Sequence, residues 1–203
     1  MLETCTILPH TLELLKRLSQ ESALSGTRLV GGTALALQYG HRSSVYLDFF
    51  GHIEDDNAGL QRMLSNLGKY TVISEAKNIK CYVLDGIKLD IVNYDYPWID
   101  EPLIVEGLVL ASPKDIAAMK INAIEGRGSK KDFIDIYFLL QHYTLKELMG
   151  FYTEKYPEHS EFRALMSLSY FVDADQQASP KMFSKVSWEE MKDHIIKQVN
   201  DYR

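Results

Sequence analysis

The sequence predicts an α/β protein of the α+β kind, in which a mixed sheet flanked by helices is followed by a C-terminal helical segment. Three observations carry that expectation. The middle of the chain holds beta-forming runs joined by a tight-turn dipeptide, Ile79–Leu84, Asp85-Gly86 and Ile87–Asn93. Earlier, the apolar pair Leu29-Val30 meets Gly31-Gly32, and a short apolar stretch follows, which is the order strand, turn, helix. From Ser112 onward strand signals give way to helix starts.

Taken in order, Pro9 and the helically spaced Leu12, Leu15 and Leu18 predict an amphipathic helix that packs on the sheet. The stretch Leu29–Phe50 reads as strand, glycine turn, short helix and a second strand that carries Asp48. The polar run 51–57 predicts a loop, and Leu60, Met63, Leu64 and Leu67 predict a helix that Gly68 closes. Strands follow at Tyr70–Ser74, Ile79–Leu84 and Ile87–Asn93, and Glu106-Gly107 between Ile104-Val105 and Leu108-Val109 predicts a last small hairpin. The expected boundary lies there, with a core over 1–110 and a helical segment over 111–203 packed on it.

In the second part, Ser112-Pro113-Lys114-Asp115 combines an N-cap serine, a proline at the first helical position and an acidic residue at the third. Thr144 with Glu147 and Ser187 with Glu190 repeat the capping-box spacing, so helices are expected near 112–126, 130–142, 144–156 and 187–202. Phe133, Ile136, Tyr137 and Leu140, and further on Leu165, Leu168 and Phe171, are expected in the core.

Composition bounds the function. A chain of 203 residues, 46% hydrophobic, can bury a sizeable core, and a net charge of −6 excludes passive coating of nucleic acid by bulk electrostatics. An RNA substrate would need a local basic patch. Two isolated cysteines give neither a disulfide framework nor a zinc site, and neither a signal peptide nor a membrane-spanning run is apparent. These features predict a soluble cytoplasmic protein with no membrane partner.

The chemistry-bearing residues fall in two groups. Alternation along a strand places Tyr46, Asp48 and Phe50 on one face, and Lys88, Asp90 and Val92 on one face of a later strand. If those strands are neighbours, Asp48 and Asp90 converge on one cleft and can hold magnesium, or Asp90 pairs with Lys88 instead. Gly31 and Gly32 allow close approach of backbone to phosphate, and Thr33 offers a hydroxyl or a helix cap. The second group is Lys120, Arg127, Lys130, Lys131, Asp132 and Asp135, the most cationic stretch of an acidic chain, read either as a phosphate or RNA site or as a solvated face with Lys131 bridging Asp135.

Gly31-Gly32-Thr33-Ala34-Leu35-Ala36-Leu37, Gly40-His41-Arg42, Ser44 and Tyr46-Leu47-Asp48-Phe49-Phe50 resemble the signature of the AbiEii/AbiGii toxin family of nucleotidyltransferases, within the polymerase-beta-like superfamily. The resemblance implies a polymerase-beta-like nucleotidyltransferase core that moves a nucleoside monophosphate from a magnesium-bound nucleoside triphosphate to an acceptor, with RNA such as tRNA the first to consider. A cognate antitoxin protein is the implied partner. The implied roles are metal binding for Asp48 and Asp90, and nucleotide binding for Gly31, Gly32, Thr33, Arg42, Ser44, Lys120 and Lys131. Asp48, Asp90, Lys120 and Asp132 form the implied catalytic set. Where the family pattern has Asp-Leu-Asp, this chain has Tyr46-Leu47-Asp48, so one magnesium ion is expected and a second is in doubt. The alternative reading is a non-catalytic member that binds nucleotide or a partner protein.

Overall fold

Two dipeptides set the strand pairing. Asp85 and Gly86 have φ of 49° and 82°, and Glu106 and Gly107 have φ of 53° and 79°. Positive φ at both central positions makes a turn whose twist matches that of the flanking strands, so each dipeptide closes a two-residue hairpin. In this computed structural model, residues 1–54 and 57–202 are described; Asp55 and Asp56, which belong to the expected 51–57 loop, lie outside the described residues.

Contacts divide the chain into two compact units, Met1–Asp95 with Pro102–Ala111, and Tyr96–Glu101 with Ser112–Arg203. The first unit runs α1 (Pro9–Leu18), β1 (Thr27–Leu29), α2 (Gly31–Tyr39), β2 (Leu47–Gly51), α3 (Asn57–Leu67), β3 (Tyr70–Glu75), β4 (Ile79–Leu84), β5 (Ile87–Asn93), β6 (Leu103–Val105) and β7 (Leu108–Leu110). The strands form one seven-stranded sheet in the order β3-β4-β5-β2-β1-β7-β6. It is mixed, as expected: β2 and β5 are parallel, as are β1 and β7, while the other neighbours run antiparallel.

Alternation decides which face is covered. Leu47 and Phe49 of β2 and Leu89 and Ile91 of β5 are buried, while Asp48, Phe50, Lys88 and Asp90 between them are only half covered. Removing a leucine or phenylalanine side chain of that kind from water stabilises the fold by roughly 1.5–3 kcal/mol. Helix α1 buries Thr11, Leu14, Leu15 and Leu18, so its covered stripe is shifted from the expected one and Leu12 is only half-buried. The Arg17 guanidinium donates to the Leu67 carbonyl at 2.6 Å and so ties α1 to the end of α3.

The second unit is helical: α4 (Pro113–Gly126), α5 (Lys130–Leu139), α6 (Leu145–Lys155), α7 (Glu161–Ser167), α8 (Val172–Asp175) and α9 (Trp188–Asp201). The caps form as the sequence implies. Ser112 accepts from the Asp115 amide at 3.1 Å, and complete capping boxes join Thr144 with Glu147 and Ser187 with Glu190. Phe133, Phe171 and Trp188 make a ring cluster with centroids 4.7 to 6.2 Å apart. Tyr137, Leu140 and Leu165 are half-buried instead of core, and Ile134 and Leu139 occupy the interior of α5.

The connection through Tyr96–Glu101 is held inside this second unit by an ion pair. Lys155 donates to Asp115 Oδ1 and to the Pro97 carbonyl, each at 2.7 Å, and its ammonium lies 4.5 Å from the centre of the Trp98 ring. Asp115 also accepts from the amides of Ile99 and Asp100 and from the Ser112 hydroxyl. Both charged side chains are fully buried. A charge taken out of water this completely is tolerated only when paired and hydrogen-bonded, and here both conditions are met.

Candidate functional site

The glycine turn brings a backbone and a carboxylate together. The Val30 amide donates to the Asp48 carbonyl at 2.8 Å, which locks the exit of β1 against β2, and Gly31 then turns the chain into α2 with φ of 68°. A Cβ on Gly31 would lie 2.7 Å from Asp48 Oδ2, so the carboxylate fills the notch that the missing side chain leaves. Val30, the N-cap residue of α2, provides no side-chain cap, and the start of a helix favours negative charge.

Behind this turn lie the other expected residues of the signature. A Cβ on Gly32 would run into the guanidinium of Arg42, which is itself buried and donates to the Ser43 carbonyl at 3.0 Å. The Thr33 hydroxyl hydrogen-bonds the Tyr46 carbonyl and sits 2.8 Å from Ser44 Oγ. A hydroxyl has one proton, so Thr33 donates to the carbonyl and accepts from Ser44. Both hydroxyls are buried, and their bonds tie the first turn of α2 to the approach to β2.

Asp48 and Asp90 are direct register partners on the parallel strands β2 and β5, side by side on the half-covered face. Neighbouring strands lie about 4.8 Å apart, so one small cation can reach both carboxylates. The Lys88 ammonium lies 2.5 Å from Asp90 Oδ2, whereas Asp90 Oδ1 is buried with no hydrogen-bond partner. Lys88 also stands 5.8 Å from the centre of the Tyr46 ring. Burial would lower the Lys88 pKa, but the bond to Asp90 and the charges of Asp90 and Asp48 outweigh it and raise the pKa. Cys81 faces Asp90 from β4, and burial, with the nearby carboxylate, pushes its thiol up.

This donor set fits one magnesium ion. Magnesium is a hard cation that takes one or two carboxylates and completes its shell with water and substrate oxygens. Asp48 and Asp90 are the two carboxylates that would hold it. Among the described residues no group of three His, Cys, Asp or Glu side chains is placed to hold a metal. A two-ion arrangement normally shares a further carboxylate, and position 46 offers a phenol.

The second expected group lies in the helical unit. The Lys120 ammonium is 2.9 Å from Asp132 Oδ1 and 2.6 Å from Asp135 Oδ2, with all three side chains buried. Arg127 places two donors on Asp132, at 3.0 and 3.2 Å, and the Ser129 hydroxyl adds a third at 2.6 Å. Burial would raise the Asp132 pKa, yet the charges of Lys120 and Arg127 and these hydrogen bonds hold its carboxyl well below the usual carboxylate range. The cationic stretch is thus largely engaged within its own unit: Lys130 is buried and donates to the Gln177 carbonyl at 2.5 Å, and Lys114 pairs with Asp100 at 2.9 Å. Lys131 is half-buried on α5, and Asp135 pairs with Lys120.

The pairing of Lys88 with Asp90, offered by strand alternation as the alternative to a metal site, is present. One feature was not singled out from sequence. Lys155 and Asp115 lie 40 residues apart, and no local pattern could have joined them.

The sequence model of the family described as "Nucleotidyl transferase AbiEii toxin, Type IV TA system" matches residues 13–203. The uncharacterised protein aq_aa25 of Aquifex aeolicus is 36% identical over 180 residues, which cover 86% of each chain. Among solved structures, JHP933 from Helicobacter pylori is 21% identical with a TM-score of 0.59, over 96% of this chain and 92% of its own. MenT4, a nucleotidyltransferase toxin from Mycobacterium tuberculosis H37Rv, is 15% identical with a TM-score of 0.53, over 93% of this chain and 80% of its own. The last two likenesses speak for the fold, and the match along the sequence speaks for the family. The chain belongs to the AbiEii toxin family of nucleotidyltransferases.

Proposed function

We propose that this chain transfers a nucleoside monophosphate from a nucleoside triphosphate to an acceptor, using one magnesium ion held by Asp48 and Asp90. The observation that carries the reading is the placement of Asp48: its carboxylate lies against Gly31 at the start of α2 and beside Asp90 in register. A triphosphate and its cation need that combination of amide donors, helix end and carboxylates.

In this reading the amides of Gly31 and Gly32 donate to phosphate oxygens, and Arg42 beneath Gly32 adds positive charge to the turn. Thr33 and Ser44 hold the turn in shape through their mutual hydrogen bond. Asp48 and Asp90 Oδ1 hold the ion, which when bound neutralises the triphosphate and the departing pyrophosphate. Lys120, Lys131 and Asp132 act in the second unit, where ion pairs with Asp132 and Asp135 fix the position of Lys120; family resemblance supports a phosphate role for Lys120 and Lys131. RNA, tRNA first, is the acceptor we infer, and a cognate antitoxin is the inferred partner given the family's type IV toxin–antitoxin description.

The test is incubation with labelled nucleoside triphosphates, total RNA and protein in magnesium. Label should move to RNA with the wild type and fall by about a hundredfold or more with Asp48→Asn or Asp90→Asn, the scale of losing an electrostatic partner of the transition state. Transfer that survives both substitutions together refutes the site.

A second reading, a non-catalytic member that binds nucleotide or a partner, is favoured by one observation: Lys88 already neutralises one oxygen of Asp90 beside Tyr46. Tyr46→Asp separates the two. A large gain of transfer in that variant means the native chain is weak or inactive, and no gain means Tyr46 is compatible with the chemistry.

A further inference from the structure

Lys88 brings a permanent cation into a cleft whose other charged groups suit a metal. Its ammonium touches Asp90 Oδ2 at 2.5 Å and faces the Tyr46 ring at 5.8 Å, and Asp48 is the register partner of Asp90 on the neighbouring strand. The two contacts are of one kind, because a carboxylate and the negative face of a phenol ring both stabilise a monovalent ammonium. A hydrated magnesium ion gains far less from a ring face, since it requires oxygen ligands. Tyr46 and Lys88 therefore fit each other. Where a third carboxylate would hold a second divalent ion, this chain has an aromatic ring with an ammonium beside it.

We propose that the Lys88 ammonium is a built-in cation of the nucleotide site, standing between Asp90 and the Tyr46 ring where a second divalent ion would otherwise lie. The site then takes one divalent ion, and Lys88 supplies the remaining positive charge to the bound triphosphate. The inference rests on the metal site proposed above. On the β2–β5 face the two carboxylates outnumber the one ammonium, and Arg42 lies behind the glycine turn. Paired carboxylates attract one divalent ion, and the tethered ammonium repels a second.

The claim is tested by titrating the full chain with Mn2+ alone, followed by electron paramagnetic resonance, which counts bound ions and needs no activity. The wild type should bind at most one ion. Lys88→Met should tighten that binding on the order of tenfold, the scale of removing one unit charge a few ångströms from a partly exposed ion. Lys88→Arg keeps the charge and should behave as the wild type. The double variant Tyr46→Asp/Lys88→Met should bind two ions. Circular dichroism melts of each variant check that the fold persists, and Lys88 is exposed enough for a methionine of similar length to replace it. Two ions on the wild type, or an unchanged affinity in Lys88→Met, overturns the inference. If Asp48→Asn/Asp90→Asn abolishes Mn2+ binding while Lys88→Met matches the wild type, the inference falls and the metal site stands. If Asp48→Asn/Asp90→Asn binds Mn2+ as the wild type does, the metal site falls and takes the inference with it.

Discussion

Replacing Lys155 by Met tests how the second unit is held together. The side chain is fully buried, and its ammonium bonds Asp115 Oδ1 and the Pro97 carbonyl at 2.7 Å each, over the face of Trp98. Methionine has a similar length and leaves little cavity, so the cost is chiefly that of an uncompensated buried carboxylate. Breaking a buried pair by removing one partner costs about 3–5 kcal/mol. The lower end applies, because Asp115 keeps three donors: the amides of Ile99 and Asp100 and the Ser112 hydroxyl. In a chain of this size each kcal/mol moves the midpoint by about 2–4 °C, so Lys155→Met should melt roughly 6–12 °C below the wild type. Thermal and urea denaturation followed by circular dichroism read the loss. The double variant with Asp115→Asn should lose at least about 1 kcal/mol less than the sum of the single variants, since the two groups act on each other. A Lys155→Met midpoint within about 2 °C of the wild type refutes the assignment of the pair as the anchor of the 96–101 connection.

Gly31→Ala should cost about 1–2 kcal/mol, because a Cβ is placed in the left-handed region and meets Asp48 Oδ2 at 2.7 Å. Urea denaturation reads the loss, and a neutral substitution contradicts the close packing of turn and carboxylate. Asp132 gives a pH prediction whose sign follows from its lowered pKa. Its stabilisation is fully present above the unfolded carboxylate value of about 3.9 and is lost as pH falls from there toward the folded value. The stability difference between wild type and Asp132→Asn should therefore hold constant from pH 7 to about 4 and shrink below it; a difference that shrinks by pH 6 contradicts this.

The sheet was legible because its signals are local. Asp85-Gly86 and Glu106-Gly107 both adopt the positive φ that their hairpins require, and alternation in β2 and β5 separates Asp48 and Asp90 from the buried Leu47 and Leu89. The helix starts at Ser112, Thr144 and Ser187 were legible for the same reason: each cap acts within four residues. Helices α7 and α8 were not, since seven and four residues are too short to show a period. In the site, the adjacency of Asp48 and Asp90 followed from strand parity once the strands were neighbours, but the pairing of β2 with β5 spans about 40 residues and no local signal in the sequence carries it. The engagement of Lys120 with Asp132 and Asp135 crosses from α4 to α5, and helical spacing within one element could not reveal it. Thr33 shows the opposite limit: its hydroxyl, read from sequence as a phosphate donor or a helix cap, has partners in Ser44 and Tyr46 that lie 11 and 13 residues away and that no local pattern reveals.

The central claim is a single divalent-cation site at Asp48 and Asp90 beside the Gly31 turn. Crystals grown with Mn2+ and a non-hydrolysable nucleoside triphosphate, measured at the manganese absorption edge, test it most directly. The account predicts one anomalous peak between the two carboxylates, with the triphosphate against the amides of Gly31 and Gly32. A triphosphate bound elsewhere, or no peak between those carboxylates, would contradict it.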